Sequence, residues 1–232
     1  NPDVYMVGEN WQGNSFLYDC YESGIDSQFA FSFGTSGGNF ASAVNGANGN
    51  QLATQLKKFD NNSVEANENV ISAMFLSNHD MVRCGNYFPS GLSSQKMAAA
   101  AYLLSPGNTF TYYGEEIGMT GANNYPYQEN RYDFDWSAVN DDNDMLAHYK
   151  KLLSIRKSYS EVFAKGSRTT ICADDTNGLD VFAREYNGTT VYTALNIGNE
   201  GTTYALTGVP ANSYLTDLYG NKVYHADKDG KV

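Results

Sequence analysis

The chain has 232 residues, 41% of them hydrophobic, enough for one large or two small domains with a real core. Its formal net charge of −11 argues against nucleic acid or an anionic membrane surface as partner. Three scattered cysteines, Cys20, Cys84 and Cys172, argue against a disulfide framework or a zinc site, and no apolar run approaches membrane-spanning length.

In chain order, Asp3 to Val7 reads as a first buried strand that runs into Gly8-Glu9-Asn10-Trp11. A loop with a short helical part follows to Ser27, then a second strand over 28–33 and a Gly/Ser/Asn-rich crossover over 34–49. Asn50 to Lys58 reads as a helix with Leu52, Leu56 and Phe59 on one stripe. Val70 to Leu76 is a third strand that ends abruptly in Ser77-Asn78-His79-Asp80. Ser93 to Leu104 has helical spacing with Ser93 or Ser94 as N-cap, Pro106-Gly107 stops it, and Thr109 to Tyr113 is the fourth strand. Strands and helices thus alternate four times, the signature of βα units on a parallel sheet. A long loop over 114–143 leads into a last helix, Asp144 to Tyr159.

After about Glu161 the pattern changes to short strands, at 168–172, 181–186, 190–197, 201–206 and 214–218. Turn signals such as Asn177-Gly178 and Asn187-Gly188 separate them, which predicts a small antiparallel β-domain. The expected division is residues 1–160 and 161–232. The acids around Asp174-Asp175 and Asp141, Asp142 and Asp144 read as turn residues rather than calcium ligands. Two buried strands that each place a carboxylate, Glu9 or Asp80, at a C-terminal edge point to a barrel with its site at that rim. Paired carboxylates are the tools of glycoside hydrolysis.

Three stretches carry a family resemblance. FLSNHD (75–80) resembles the motif on the seventh barrel strand of the α-amylase family of glycoside hydrolases, VYMVGENW (4–11) its fifth-strand motif, and FTYYGEEIGM (110–119) its eighth strand and following loop. They come in the family's order, and the similarity runs along most of the chain. The resemblance implies an α/β fold: the C-terminal half of a TIM (β/α)8 barrel, strands five to eight, followed by a small antiparallel β-sandwich domain. It implies a retaining, endo-acting hydrolase of α-1,4-glucans such as starch. Related α-glucosidase, cyclomaltodextrinase or glucan transferase activity is one alternative; a non-catalytic carbohydrate-binding relic is the other.

The resemblance gives Glu9 the role of acid/base, Asp80 that of transition-state stabiliser and His79 that of a donor to sugar hydroxyls. Trp11 is read either as a stacking platform on the leaving-group side or as a core residue. Arg83 either orients the loop and carboxylates or is a surface charge. Tyr112 and Tyr113 read as packing, Glu115 and Glu116 as loop-anchoring acids. Arg131 and Trp136 resemble the family's Arg-x-x-x-x-Trp element, which makes Arg131 a candidate sugar ligand, although Tyr127 stands where the family has a sugar-binding Asp. The family's nucleophile, an Asp ending the fourth strand within an Arg-x-Asp motif, is expected to have no match here, since Asp3 and Asp26 lie in the wrong places. The chain is therefore expected to begin mid-protein and to be inactive alone. The missing N-terminal barrel half, or a second copy, is expected to complete the barrel. No cofactor is expected in this stretch, with calcium in the intact enzyme coming through the missing half; the resemblance implies secretion or cell-surface display, and no signal peptide is recognisable in these residues.

Overall fold

The computed structural model describes residues 3–11, 19–31, 33–34, 38–66, 70–88 and 91–232; the side chain of Phe59, expected on a helical stripe, lies outside what is described. Four short strands form one parallel sheet whose spatial order equals chain order: β1 (Val7–Gly8), β2 (Ser27–Phe29), β3 (Ile71–Phe75) and β4 (Asn108–Phe110). Gly8 lies opposite Gln28, Gln28 opposite Ser72, and Ala73 opposite Asn108. Parallel neighbours need crossovers, and helices supply them. Helices α1 (Asn39–Asn45) and α2 (Gly49–Ala66) lie between β2 and β3; α3 (Cys84–Tyr87) and α4 (Leu92–Leu103) lie between β3 and β4.

β3 has neighbours on both sides, and Ser72 through Phe75 are buried. β1 pairs with β2 alone in the described sheet, and Val4, Tyr5, Met6 and Val7 remain 36–54% exposed. The apolar run reads as buried from sequence, but its edge position leaves one flank uncovered. β2 ends at Phe29, earlier than the apolar run suggests. Phe31 N–H bonds the Phe29 carbonyl, and Phe33 N–H bonds that of Ala30, which turns the chain. Phe33 then stacks on Phe40, ring centroids 4.1 Å apart, in the core between sheet and helices. Phe31 instead joins Phe75 and Met81 in a separate aromatic cluster on the sheet's other face, with Phe29 and Phe110 beside it. α4 begins after Gly91 (φ 62°) with no side-chain cap, so Ser93 and Ser94 do not fill the expected role. Its Ala98–Ala101 run is buried and lets neighbouring elements approach closely.

Helix α5 (Asp144–Ser158) is capped by Asn143, whose side-chain oxygen accepts from Leu146 N–H at 2.9 Å. After α6 (Ser160–Lys165) the chain enters an antiparallel sheet, β5 (Ser167–Asp174), β6 (Leu179–Tyr186) and β7 (Thr189–Asn196), with a further pair β8 (Tyr214–Thr216) and β9 (Val223–His225). Asn187 and Gly188 both have positive φ in the two-residue turn between β6 and β7, as the sequence signal requires. The expected strand over 201–206 does not form; there the chain is held by a Thr207–Lys231 bridge and a bond from Val232 N–H to the Leu206 carbonyl. Among the described residues, no helix is long and apolar enough to cross a membrane.

Helix α2 is joined to the antiparallel sheet by buried charge. Arg184 of β6 donates to both carboxylate oxygens of Asp60 in α2, at 2.7 and 2.6 Å. Arg168 of β5 donates to both oxygens of Asp180, at 3.2 and 3.0 Å, and its Nε lies 3.8 Å from Asp60. These side chains are 0–9% exposed. Nearby, the Asp175 carboxylate accepts from Asn50 N–H (2.8 Å) at the start of α2. A Cβ on Gly49 would lie 2.2 Å from the Leu179 carbonyl oxygen, so only glycine fits under that turn. Removing one partner of a buried pair strands the other charge, at a cost of about 3–5 kcal/mol. Asp60→Ala is accordingly expected to lower the unfolding free energy read from urea titration by that amount, whereas Lys165→Ala, which removes an exposed pair with Glu161, leaves it nearly unchanged.

Candidate active site

The functional stretch begins where β3 stops pairing. Ser77 is buried, and the Asn78 side-chain oxygen accepts from Asp80 N–H at 2.9 Å, the local turn an asparagine favours. The turn carries His79 and Asp80 outward at the C-terminal end of the sheet. Their side chains are 59% and 37% exposed, and His79 Nε2 lies 3.2 Å from Asp80 Oδ2.

The loop after β4 holds this turn in place. Asn130, fully buried, donates through its amide to the carbonyls of His79 (2.7 Å) and Met81 (2.9 Å). Asn123 donates to the Asp80 carbonyl at 2.8 Å. Arg131 Nε donates to the His79 carbonyl at 2.8 Å, and Nη2 to Asp80 Oδ1 at 2.7 Å. The candidate sugar ligand Arg131 therefore has Asp80 as its own partner, where it fixes the carboxylate's orientation. The sequence Arg131-Tyr132-Asp133 has the letters of an Arg-x-Asp motif, but it sits on this loop rather than on a strand.

Glu9 follows β1 on the same edge of the sheet and is exposed. β2 separates the strands that lead to Glu9 and Asp80, a backbone spacing of about 10 Å. Trp11 leans on Phe31, ring centroids 4.1 Å apart, yet stays 57% exposed, so it is packed on one side and open on the other. The structure thus brings His79, Asp80 and Arg131 into one cluster, with Glu9 and Trp11 two strands along the same edge.

Behind the turn lies a second layer. Glu115 is fully buried, and its Oε1 accepts from Ser77 N–H (3.1 Å) and Ser77 Oγ (2.5 Å). Burial pushes its carboxyl up to about 8, against the pull of hydrogen bonds from Ser77 and Cys84. Gly114, at φ 89°, makes the sharp turn that delivers Glu115, and Glu116 caps the Gly114 N–H at 2.8 Å. Arg83 is buried, donates to the Tyr113 carbonyl, and lies 4.6 and 4.4 Å from the rings of Tyr112 and Tyr113. Of its two readings, the structure places Arg83 in loop orientation. The Tyr112 and Tyr113 hydroxyls donate to the carbonyls of Asn130 and Tyr132. Sequence reasoning passed over Asn130 and Asn123; an asparagine on a polar loop gives no sign of which carbonyl it will meet. The acid-rich turn at 174–178 has its own use for Asp174, whose carboxylate accepts from Thr176 N–H (2.7 Å) and the Asn177 amide (2.6 Å).

Residues 1–151 match the family model described as alpha amylase, catalytic domain. Alpha-amylase 3 of Dictyoglomus thermophilum is 32% identical over 182 residues, 67% of this chain and 35% of that protein. A cyclomaltodextrinase of Geobacillus thermopakistaniensis is 25% identical across 98% of this chain and 37% of its own length. The crystal structure of an Anoxybacillus α-amylase superposes with a TM-score of 0.81 at 22% identity, over 99% of this chain and 49% of that one, a likeness of fold. The chain spans about a third of the length of these two curated relatives.

The Glu115 carboxyl yields a signed expectation. Folded, it keeps its proton up to about pH 8; unfolded, it releases it in the ordinary glutamate range. The folded state therefore binds the extra proton, and stability falls as pH rises from that range towards 8. Glu115→Gln keeps an acceptor for Ser77 and removes the proton. Urea midpoints measured at about pH 5 and about pH 8 should fall in the parent and stay flatter in the variant; equal slopes would show that Glu115 is ionised in the folded chain.

Proposed function

The chain belongs to the α-amylase catalytic-domain family, and from that membership we propose that it carries the acid/base and the stabilising carboxylate of a retaining, endo-acting hydrolase of α-1,4-glucans. The observation that carries this reading is the Asp80 cluster, a carboxylate held by Arg131 beside His79 at the C-terminal end of a parallel sheet, with Glu9 on the same edge. In this reading the four parallel strands are the fifth to eighth of a (β/α)8 barrel and residues 161–232 belong to the following β-sandwich domain.

Glu9 donates a proton to the glycosidic oxygen as the bond breaks, then takes one from the attacking water. Asp80, oriented by Arg131, offsets the positive charge that grows on the sugar ring. His79 donates to a hydroxyl of the same ring, and Trp11 offers its open face to the leaving-group side. The nucleophile is an aspartate from a strand outside these residues, about 5–5.5 Å from Glu9 in the assembled site. The chain alone therefore turns over no substrate, and the missing N-terminal barrel half or a second copy completes the barrel. Calcium, which family membership implies, would be held by residues outside this stretch. Secretion or display at the cell surface agrees with a polymeric substrate. A second reading keeps the machinery and changes acceptor or linkage; the cyclomaltodextrinase that matches nearly the whole chain favours keeping it in view, and product chromatography separates the two.

In the protein that carries these residues together with its nucleophile, Glu9→Gln is expected to lower turnover of a blocked maltooligosaccharide about 10³-fold. Asp80→Asn should do the same with little change in the urea midpoint. Arg131→Ala is expected to lower kcat more than it raises KM, because it acts on Asp80 rather than on ground-state binding. Full activity in the Glu9 or Asp80 variant would overturn the assignment. Proton NMR of the first-formed product should show the α-anomer.

A further inference from the structure

The loop after β4 closes on itself and lifts its tip into solvent. Asn130 N–H bonds the Ala122 carbonyl at 3.0 Å, and Gln128 N–H bonds that of Asn124 at 2.6 Å. The Glu129 carboxylate accepts from Ala122 N–H and from the Asn124 amide, both at 3.4 Å. A Cβ on Gly121 would lie 2.5 Å from the Glu129 carbonyl oxygen, so the two limbs are as close as backbone allows. The base of the loop is fixed to the catalytic turn through Asn123, Asn130 and Arg131.

The tip reads Asn124-Tyr125-Pro126-Tyr127-Gln128 and has no charged residue, in a chain of net charge −11. Tyr125 is 91% exposed and Tyr127 69%. Aromatic rings held in water forgo a large burial gain, and a pair of them on a braced loop is the arrangement of a surface waiting for a flat, partly apolar ligand.

We propose that Tyr125 and Tyr127 form an outlying stacking site for the α-glucan chain whose scissile bond lies at Asp80. The inference rests on the reading of the site given above and extends it to sugar rings beyond those touched by Glu9, His79 and Asp80. A glucose ring presents C–H groups on its faces and hydroxyls around its rim. The faces suit a tyrosine ring, the rim suits the neighbouring Gln128 amide, and an uncharged tip suits a neutral polymer. The shared anchoring of loop and catalytic turn keeps the platform at a fixed distance from the bond to be cut, so the site sets a preference for chain length.

The test uses Tyr125→Ala/Tyr127→Ala in the protein with its complete barrel. Both side chains lie outside the core, so folding is expected to be unaffected. The kcat/KM for a long maltooligosaccharide should fall about tenfold, and that for a short blocked one should stay within about twofold. Tyr125→Phe/Tyr127→Phe, which keeps the rings, should restore the long-chain value. Retardation in native gels containing soluble starch, measured in a Glu9→Gln background, gives a readout free of hydrolysis and should weaken in the alanine variant. An active parent whose alanine variant keeps its long-chain preference and its retardation overturns this inference alone. A parent that is neither active nor retarded overturns the reading beneath it as well.

Discussion

The carbonyl of His79 accepts two side-chain hydrogen bonds at once, from Asn130 and Arg131, and the geometry of the site depends on it. Past Phe75 the chain leaves the sheet, so the backbone groups of residues 79–81 have no ladder partner. Such groups must be satisfied. A loop some fifty residues further on does so through Asn123, Asn130 and Arg131, and Arg131 also donates through Nη2 to the Asp80 carboxylate. The loop after β4 is thus part of the wall that shapes the catalytic turn. Glu115 secures the same turn from beneath through Ser77.

Three acids at this edge show how environment separates identical chemistry. Asp80 is partly exposed and faces the Arg131 guanidinium at 2.7 Å. Glu115 is sealed away from solvent and holds its proton near neutrality, while its Oε1 accepts from Ser77. Glu9 stands exposed beyond β1 on the same edge. Both Glu115 and Asp80 look catalytic as letters; burial decides which of them faces the ligand.

Much of this was legible in the residues. The apolar run before Ser77-Asn78-His79-Asp80 marks a buried strand with a polar end, and β3 is one. Asn187-Gly188 marks a tight hairpin, and both residues take the required positive φ. The resemblance of three motifs led to the family. Other features depend on contacts between distant parts of the chain. The first apolar run lost its burial to an edge position, and residues 201–206 form no strand, with Leu206 reached by a backbone bond from Val232. Arg131 looked like a sugar ligand because spacing shows which motif an arginine resembles, and says nothing of a carboxylate 51 residues earlier. The buried pairing of Asp60 with Arg184 spans 124 residues and was equally invisible.

The junction at Gly49 bears on how such a protein can be taken apart. The start of α2 lies directly beneath the β5–β6 turn, with Asp175 accepting from Asn50 N–H and Asp60 facing Arg184 of β6 and Arg168 of β5. By sequence position, α2 belongs to the parallel unit; by contact, it is the socket of the antiparallel one. Modular exchange that cuts the gene near residue 160 would therefore move a plug without its socket. A transplanted β-domain would need its own glycine and its own aspartate on the receiving helix. Residues 49–60 thus serve both units as a shared specification.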